Sequence, residues 1–486
     1  MSVTVFCFFQ YTEKYRYSDD TRGENGMGRY FGTDGFRGEA GVTLTAAHAY
    51  RIGRFLGWYF GREHRARVVI GKDTRRSSYM VEYALVAGLV ASGADAYMLH
   101  VTTTPSVSYV VVADGFDCGV MISASHNPYY DNGIKLVNRR GEKMEDATLG
   151  LIEDYMDGST EHSEHPSGEL PLAHGEGLGR IVDHAAGRNR YIGYLISLTR
   201  HSFKPFRVGL DCANGSAWMI AKNVFDALGA TTYPIHASPD GLNINRGAGS
   251  THIEALVQHV REQRLDVGFA FDGDADRCLA VDERGNVVNG DHILYLLAQR
   301  LKAEGELTNN TVVATVMSNL GLFRALEKAD ISYVMTDVGD RFVYENMLQT
   351  GNCIGGEQSG HIILRKYATT GDGILTAIQI METMIERKLP LSRLAEPVRM
   401  LPQTVKNLRV RDKAAVLADV RVLRAKEEIE ERLGKSGRIL LRASGTEPVI
   451  RVMVEAETEG TCDRCASELL SVISEGGHEA EKGGGR

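Results

Sequence analysis

The 486-residue sequence has no long apolar run and no basic block. No stretch of about 18 apolar residues occurs, so no transmembrane helix is expected. A formal net charge of −8 without a clustered cationic face argues against a nucleic-acid binder. Neither a GxxxxGK[ST] phosphate loop nor a GxGxxG followed by a suitable acid is present, which leaves nucleotide binding without support. An acidic protein can still bind phosphates through a few arginines, backbone amides or a metal.

Cysteine is sparse and irregularly placed. The chain has seven cysteines, and this odd, scattered set suits a reducing compartment, so we expect a cytoplasmic protein. Cys462 and Cys465 form a CxxC pair in a helix-like run near the end. One such pair is weak support for zinc, and two ordinary helix residues are the favoured interpretation.

The length and the order of strand-like and helix-like segments predict several domains. A chain of this size should divide into about three or four. Repeated strand–helix–strand patterns indicate sheets with helices on their faces. We predict an α/β protein with three similar mixed-sheet α/β domains and a smaller α+β C-terminal domain. The predicted segments are a disordered leader over 1–26, domains over 27–170, 178–282, 283–395 and 402–474, and a disordered tail over 475–486.

The segment GVMISASHNPYYDNGIKL, residues 119–136, carries the first chemical signature. An apolar run delivers Ser125 and His126 to a loop, and Pro128 prevents a strand or helix from continuing. Small neighbours let a backbone and a hydroxyl approach a bulky anion, and Lys135 closes the segment. Ser125 is therefore a candidate phosphoryl carrier. On these residues alone, a polar turn after a buried strand is an equally good interpretation.

The second signature is FDGDADR, in which Asp272, Asp274 and Asp276 alternate after a strand-like run. In an extended loop, alternating side chains share one face. Carboxylates on one face repel unless a cation lies between them, and oxygen-only ligands favour Mg²⁺. The alternatives are a solvated acidic turn and an EF-hand loop. Glu283 falls at the twelfth EF-hand position, but Arg277 stands at the sixth, where a glycine is needed.

Two further loops are rich in polar side chains. In GGEQSGHIIL, Glu357, Ser359 and His361 alternate, which suits the hydroxyls of a polyol, although a polar hairpin is as good an interpretation. The segment RASGTEPVIR combines guanidinium groups, hydroxyls and a glycine, which together can hold a phosphate without a metal. Its candidate phosphate-binding residues are Arg442, Ser444, Gly445, Thr446 and Arg451. Near the start, RYFGTDGFRG adds a further cation, Arg37.

These segments, in this order, resemble the α-D-phosphohexomutase (phosphoglucomutase/phosphomannomutase) family. FGTDGFRG, ISASHNPYYDNGIKL, DGDADR, VGDRFV, GEQSGH, TTGDG and RASGTEPVIRVMVE all look like its pattern, from about Met27 to about Ser474. Because Met27 directly precedes the first of them, it is a candidate alternative start. The resemblance implies four domains around a central cleft, a phosphosugar substrate and one Mg²⁺ per chain.

The resemblance also implies residue roles. Ser125 resembles the phosphoserine, which would share the metal with the three aspartates. Glu357 and Ser359 resemble the sugar contacts. The remaining matches are Arg37, Lys135 and His361 near the reacting oxygen, His126 beside the phosphoserine, Arg277 in a supporting place, and Arg442, Ser444, Gly445, Thr446 and Arg451 around the non-reacting phosphate. Lys135 and His361 are both candidates for the general acid or base.

The expected reaction is the interconversion of glucosamine 6-phosphate and glucosamine 1-phosphate. It would pass through glucosamine 1,6-bisphosphate, which also serves as activator, and would feed UDP-N-acetylglucosamine synthesis. Alternatives are a phosphoglucomutase or phosphomannomutase, a Mg²⁺-dependent phosphatase, and a non-catalytic sugar-phosphate binding protein. The expected partner is a small phosphosugar, with no nucleic acid and no membrane, and a homodimer is one assembly that the sequence leaves open.

Two positions depart from the pattern. Ala248 stands where a cysteine is expected, a change that should matter little. Asp337 stands where a basic or small residue is common, and a carboxylate there should weaken the local attraction for phosphate.

Overall fold

The computed structural model of the protein describes residues 28–158, 169–444 and 448–480. These residues form four sheets that follow one another along the chain, each with helices packed against it. No helix among them is long and apolar enough to cross a membrane. The predicted leader over 1–26 lies outside the described residues.

The first unit is a seven-stranded mixed sheet in the order β1-β2-β6-β5-β3-β4-β7. Its strands are β1 (Phe31–Gly32), β2 (Gly35–Glu39), β3 (Arg67–Lys72), β4 (Asp95–Val101), β5 (Cys118–Ile122), β6 (Asp131–Asn138) and β7 (Ile181–Asp183). Its helices are α1 (Ala46–Phe60), α2 (Arg76–Ala91), α3 (Thr104–Asp114) and α4 (Asp146–Met156), and α5 (Ala185–Ser197) leads to the next unit. Helix α3 begins where the Thr103 side chain accepts from the Ser106 amide, with Pro105 in the first turn.

The second unit is a five-stranded sheet in the order β12-β11-β10-β8-β9. Its elements are β8 (Arg207–Asp211), α6 (Ala217–Ala227), β9 (Thr231–Ile235), α7 (Glu254–Gln263), β10 (Val267–Phe271), β11 (Cys278–Asp282) and β12 (Val287–Val288). The third unit is a four-stranded sheet in the order β14-β13-β15-β16. Its elements are α8 (Gly290–Glu304), β13 (Thr311–Thr315), α9 (Leu320–Lys328), β14 (Ser332–Thr336), α10 (Asp340–Thr350), β15 (Ile354–Gly356), β16 (Ile362–Leu364), α11 (Gly373–Arg387) and α12 (Leu391–Ala395).

The fourth unit is a smaller antiparallel sheet in the order β17-β19-β18. Its elements are β17 (Gln403–Arg409), α13 (Lys413–Ala418), α14 (Val420–Leu433), β18 (Arg438–Ala443), β19 (Val449–Glu455) and α15 (Glu459–Glu475). Three mixed α/β units followed by a smaller α+β unit confirm the predicted fold class. Cys462 and Cys465 lie buried in the core of this last unit, as ordinary helix residues do.

The three α/β units repeat one local arrangement. In each, a strand pairs in parallel with one neighbour and antiparallel with the next: β3-β5-β6, β8-β10-β11 and β13-β15-β16. The connection inside each antiparallel pair carries one of the predicted functional segments. These connections are the Ser125 loop (123–130), the acidic loop (272–277) and the Glu357 loop (357–361).

Three short segments differ from the predicted domain limits. The backbone of 181–183 pairs with β4 and so completes the first sheet, although the sequence placed it in the second domain. Residues 287–288 pair with β11 in the second sheet rather than opening the third domain. The start of the predicted disordered tail is ordered, because the Arg411 amide donates to the His478 carbonyl (3.0 Å) and the Ala480 amide to the Arg409 carbonyl (3.0 Å). Residues 481–486 lie outside the described part of the chain.

The apolar core is shared unequally among the units. One continuous cluster of buried side chains runs from Tyr191 to Val398 and so joins the second and third units. The first and fourth units have main clusters of their own. The fourth unit meets the third through polar contacts, among them the Leu320 amide donating to Glu455 Oε2 (2.9 Å) and the Arg438 side chain donating to the Ser318 carbonyl.

Candidate active site

Ser125 is buried at the tip of its loop and points at the acidic loop. Its Oγ donates to Asp272 Oδ2 at 2.6 Å and lies 3.3 Å from His126 Nδ1, and the residue is 1 % exposed. Its φ of 53° is in the left-handed region that non-glycine residues seldom occupy. The loop is a polar turn after a buried strand, and within it the Ser125 hydroxyl is buried, conformationally constrained and directed at a carboxylate of the second unit.

A buried arginine holds the backbone of the Ser125 loop. The Arg75 guanidinium donates to the carbonyls of Ser125 (2.9 Å) and Asn127 (2.9 Å), and its charge is paired with Asp73 (2.8 Å). From the second unit, the Asn245 side chain donates to the same two carbonyls at 2.8 and 3.0 Å. The loop is therefore fixed from two domains by donors that satisfy its buried carbonyls.

The three aspartates of the acidic loop form a buried cluster. Asp272, Asp274 and Asp276 are 0–5 % exposed, which excludes a solvated acidic turn, and one carboxylate oxygen from each lies within 4.8 Å of the others. Asp274 Oδ1 and Asp276 Oδ1 are buried without a hydrogen-bond partner among the described residues. Oxygen-only ligands with free, buried lone pairs fit a hard divalent cation. This cluster could therefore hold a metal.

The charges around the cluster are only partly balanced. Lys135 Nζ lies 2.8 Å from Asp274 Oδ2 and 3.3 Å from Asp276 Oδ2. Burial, then the carboxylates of Asp276 and Asp274, raise the pKa of Asp272 to about 8. Burial also opposes ionisation of Asp276, but Lys135 and His361 outweigh it and hold the Asp276 pKa well below its usual value. Lys135, Arg277 and His361 offset part of the negative charge, yet the pKa of Asp272 stays raised, and a divalent cation would favour its ionised form.

His126 and Arg277 lie together beside Ser125. Burial, and then the cations Arg277 and Arg37, lower the pKa of His126 to about 4, so its ring is neutral and Nδ1 can accept from Arg277 Nη1 at 3.2 Å. Arg37 reaches the same loop, with Nη1 3.4 Å from Asn127 Oδ1. Two guanidinium groups thus reach the Ser125 loop from different domains, which suits an anion, although Arg37 is also paired with Asp34.

The Glu357 loop is attached directly to the end of the acidic loop. The Cys278 amide donates to the Gly360 carbonyl at 3.0 Å, and a Cβ at Gly360, whose φ is +93°, would clash with the Cys278 carbonyl. Glu357 Oε1 accepts from the Gly339 amide at 3.1 Å, and burial raises the Glu357 pKa. Ser359 is exposed at the hairpin tip. The segment is a polar hairpin, and that hairpin presents its side chains next to the metal-type cluster.

His361 lies between two carboxylates. Its Nδ1 is 3.8 Å from Asp276 Oδ2 and its Nε2 is 3.5 Å from Asp340 Oδ2. Burial alone would lower the His361 pKa, but Asp340 and Asp276 raise it to about 9. The Gly371 amide, which donates to Nε2 at 3.0 Å, acts in the opposite direction and favours the neutral ring.

Arg442 and Arg451 are direct cross-strand partners on β18 and β19. Burial and the neighbouring Arg451 lower the pKa of Arg442, while Asp337 of the third unit partly offsets this. Two adjacent cations favour an anion between them. Ser444 lies at the end of β18, where its carbonyl accepts from Lys413 Nζ at 2.8 Å. The predicted Gly445 and Thr446 lie outside the described residues.

Sequence models of four domains of one protein family match the chain in order. They are the phosphoglucomutase/phosphomannomutase alpha/beta/alpha domains I, II and III, over residues 28–163, 189–285 and 289–400, and the C-terminal domain of the same family over 406–472. The chain belongs to the phosphoglucomutase/phosphomannomutase family. It is therefore a phosphohexomutase, an isomerase-class enzyme, as the sequence resemblance predicted.

Relatives and solved structures agree with this assignment. The chain is 60 % identical to the phosphoglucosamine mutase of Lachnoclostridium phytofermentans over 93 % of this chain and 99 % of that protein. It is 47 % identical to the phosphoglucosamine mutase of Bacillus subtilis over 92 % and 98 %.

Two solved structures share the fold. A phosphoglucomutase/phosphomannomutase family protein of Burkholderia thailandensis superposes with a TM-score of 0.75 at 22 % identity, covering 92 % of this chain and 98 % of that one. The N-acetylphosphoglucosamine mutase of Aspergillus fumigatus, solved with GlcNAc-6P and magnesium, gives 0.65 at 18 % identity over 94 % and 97 %.

The structure corrects one alternative for this phosphohexomutase. An EF-hand is wrong, because β11 carries the chain away from the acidic loop and the Glu283 side chain binds Ser392 instead of reaching the cluster. Of the departures from the family pattern, Ala248 is fully buried, and Asp337 faces the Arg442 side of the site.

Sequence reasoning missed the supporting residues of the phosphohexomutase site. Asp73 and Arg75 follow directly after the buried strand β3, and such charges at a strand end were the available signal. Thr104 Oγ1, which donates to Asp274 Oδ2 at 2.6 Å, lies in the first turn of α3 and gave no signal. Asn245 lies in a loop without any motif of its own.

Proposed function

We propose that the enzyme interconverts glucosamine 6-phosphate and glucosamine 1-phosphate through phosphorylated Ser125 and glucosamine 1,6-bisphosphate. The observation that carries the proposal is the Ser125 hydroxyl, held 2.6 Å from Asp272 inside a buried acidic cluster. The choice of an amino sugar is supported by the relatives at 60 % and 47 % identity, which are named phosphoglucosamine mutases.

The proposed reaction has two balanced transfers. In the first, the bond between phosphorus and Ser125 Oγ breaks, a bond to the sugar O1 forms, and the proton that O1 gives up passes to Ser125 Oγ. After the bisphosphate turns over in the cleft, the bond between phosphorus and the sugar O6 breaks, Ser125 Oγ gives up that proton and is phosphorylated again, and O6 takes the proton. Lys135 and His361, which both lie against Asp276, are the candidates for holding that proton.

Asp272, Asp274, Asp276 and the phosphoserine would together hold one Mg²⁺ per chain. When bound, this ion would offset negative charge on the transferring group. Arg277 and Arg37 contact the Ser125 loop from different domains and would orient the phosphoryl oxygens. Water-excluded, preoriented cations of this kind stabilise charge more strongly than the same groups in water.

The non-reacting end of the sugar requires a site that accepts either phosphate. We assign this site to Arg442, Ser444, Gly445, Thr446 and Arg451. Glu357 and Ser359 would contact the sugar hydroxyls between the two phosphate positions. Because Arg442 and Arg451 are paired across two strands, they present two guanidinium groups to one anion in a fixed relation.

The proposal is tested with Ser125→Ala and a Ser471→Ala control. Ser471 is an exposed serine of α15, so its loss should leave the rate unchanged. Intact-mass measurement should find one phosphate on wild type and on the control but none on Ser125→Ala, and Ser125→Ala should lose turnover. Near-normal turnover by Ser125→Ala would show that the phosphoserine role is wrong.

The substrate assignment is tested with a panel of glucosamine, glucose and mannose phosphates, primed with the matching 1,6-bisphosphates. We expect the highest kcat/KM with the glucosamine phosphates. Preference for a glucose or mannose phosphate would instead assign the chain as a phosphoglucomutase or phosphomannomutase, as its family description also allows. Release of free phosphate without bisphosphate would indicate a phosphatase.

A further inference from the structure

Three residues of the candidate site belong to a closed ring of alternating charges. Each neighbour in the ring contributes an ion pair or a histidine–carboxylate contact, and the ring crosses three domains. In order, its members are Lys143, Asp34, Lys135, Asp276, His361 and Asp340, which contacts Lys143 again. Lys143, Asp34 and Asp340 were not among the residues that the sequence indicated.

Lys143 closes this ring from outside the reaction centre. Its Nζ lies 2.8 Å from Asp340 Oδ1 and 3.4 Å from Asp34 Oδ1, and donates to the Thr33 carbonyl at 2.9 Å. Its contacts thus join the first domain to the start of α10 in the third. Among its contacts in the described structure there is none with the acidic cluster or with Ser125.

The two carboxylates that Lys143 holds each have a second oxygen aimed at a candidate proton carrier. Asp34 Oδ2 lies 3.2 Å from Lys135 Nζ, and Asp340 Oδ2 lies 3.5 Å from His361 Nε2. A carboxylate that is bound on one oxygen is restricted in where it can place the other. Lys143 therefore restricts both carboxylates: it holds Asp340 at 2.8 Å, and it shares Asp34 with Arg37, whose guanidinium pairs with Asp34 Oδ2.

We propose that Lys143 is a positioning residue of the mutase, which sets the placement of Lys135 and His361 through Asp34 and Asp340. The inference rests on the proposed function, because it assigns a task to those two groups. Without Lys143, Asp340 and Asp34 would lose a shared cation; Asp34 would keep Arg37 on its Oδ2, and Asp340 would be free to turn differently toward His361. Loss of such an orienting partner typically costs about 10–100-fold in activity, as it does around metal ligands.

A simple tether between the first and third domains is the competing explanation. The same interface carries a second, independent ion pair, in which Arg341 Nη1 and Nη2 donate to Asp146 at 2.8 and 2.6 Å. Asp146 has no contact with the ring among the described residues, and Arg341 keeps Glu345 as a partner at 2.7 Å if Asp146 is changed. Asp146→Asn therefore removes a bond of the same kind from the same interface without disturbing the ring.

The experiment compares Lys143→Ala, Lys143→Arg and Asp146→Asn as full chains in the primed mutase assay. We expect Lys143→Ala to lower kcat about 10–100-fold, with a much smaller change in KM. Lys143→Arg should recover most of kcat, because a guanidinium can bridge the same two carboxylates. Asp146→Asn should keep a wild-type kcat.

Chemical rescue provides a readout that a structural tether would not change. A cavity of about 340 Å³ is lined by Lys143, Asp34 and Asp340 and by apolar side chains that include Phe31, Met144, Leu149 and Leu348. Propylamine should enter it and restore part of the kcat of Lys143→Ala, whereas propanol, of similar size but uncharged, should not. Equal losses in Lys143→Ala and Asp146→Asn, a wild-type kcat in Lys143→Ala, or equal effects of propylamine and propanol would each overturn the inference.

The test of the charge ring can fail without the substrate assignment failing, and the reverse also holds. If wild type converts only glucose or mannose phosphates, the amino-sugar assignment fails, and the three variants are compared with the substrate that is turned over. If wild type converts glucosamine phosphates and Lys143→Ala does so at the same rate, the ring inference fails alone.

Discussion

Gly273 offers a test of how closely the acidic loop must approach the Ser125 loop. It lies between Asp272 and Asp274, and its φ is outside the left-handed region, so an alanine there meets no backbone strain. A Cβ at Gly273 would stand 2.5 Å from the Ser125 carbonyl oxygen, 2.9 Å from Ile244 Cδ1 and 3.0 Å from Asn245 Nδ2. Gly273→Ala should therefore push the two loops apart.

The size of the effect follows from these distances. Ordinary van der Waals contact begins at 3.4 Å, so the Ser125 carbonyl would have to retreat by roughly 0.9 Å. A displacement of about 1 Å at reacting groups costs about 100-fold in rate, which corresponds to about 2.7 kcal/mol in the activation free energy. The free energy of unfolding should fall by about 1–3 kcal/mol, as is usual for overpacking.

The assay is the primed interconversion of glucosamine phosphates, with thermal unfolding measured in parallel. Gly193→Ala is the matched control, because Gly193 is exposed on α5 and has no atom within 4 Å of an added Cβ. It should retain full activity and gain roughly 0.5–1 kcal/mol of helix stability. A wild-type kcat/KM for Gly273→Ala would refute the close-approach reasoning, as would an equal loss in both variants.

Two further changes have signs that the structure determines. Burial raises the pKa of Asp291 in the folded protein to about 6, above its ordinary value of 3.8. Such a carboxyl contributes its full stabilisation to the fold below pH 3.8, where it is protonated, and loses that contribution as the pH rises through 6. Asp291→Asn can still accept from the Asn319 amide, so it should raise the free energy of unfolding above pH 6 by up to about 3 kcal/mol and leave it unchanged near pH 3. Thermal unfolding of both proteins across this pH range tests the prediction. A stability difference between them that does not change with pH would contradict it. Asp337→Asn removes a carboxylate near Arg442 and should strengthen the attraction for phosphate, which lowers the KM for the phosphosugar about two- to fivefold. An unchanged or higher KM in steady-state kinetics would contradict this.

The chemical groups of the site could be predicted because each lies within one short segment. Ser125, the alternating aspartates and the Glu357 loop are each contiguous in sequence, and their residue types limit the chemistry they can perform. The apolar strands that precede these loops also indicate that the loops begin in the protein interior, unlike ordinary polar turns at the surface. What the local pattern does not contain is the pairing of the loops, such as Ser125 with Asp272, which the family resemblance supplied.

The supporting residues could not be predicted, because their contacts join distant segments. Arg75 is one charge in a polar turn until the fold places three loop carbonyls around it. Lys143 lies in a charged stretch that reads as solvated surface, and its partner Asp340 is almost two hundred residues away. The strand at 181–183 and the ordered residues before 481 were missed for a similar reason, since each gains its hydrogen bonds from a distant edge strand.

The continuous apolar cluster of the second and third units has a consequence for cooperativity. Units that share buried surface cannot unfold separately without exposing that surface to water, so these two form a single cooperative block. The fourth unit buries its own cluster and meets the block through polar contacts, which water can replace. Local opening of the chain should therefore follow three blocks rather than four sheets, and the arginine pair belongs to a block that can separate from the third unit by exchanging polar contacts for water.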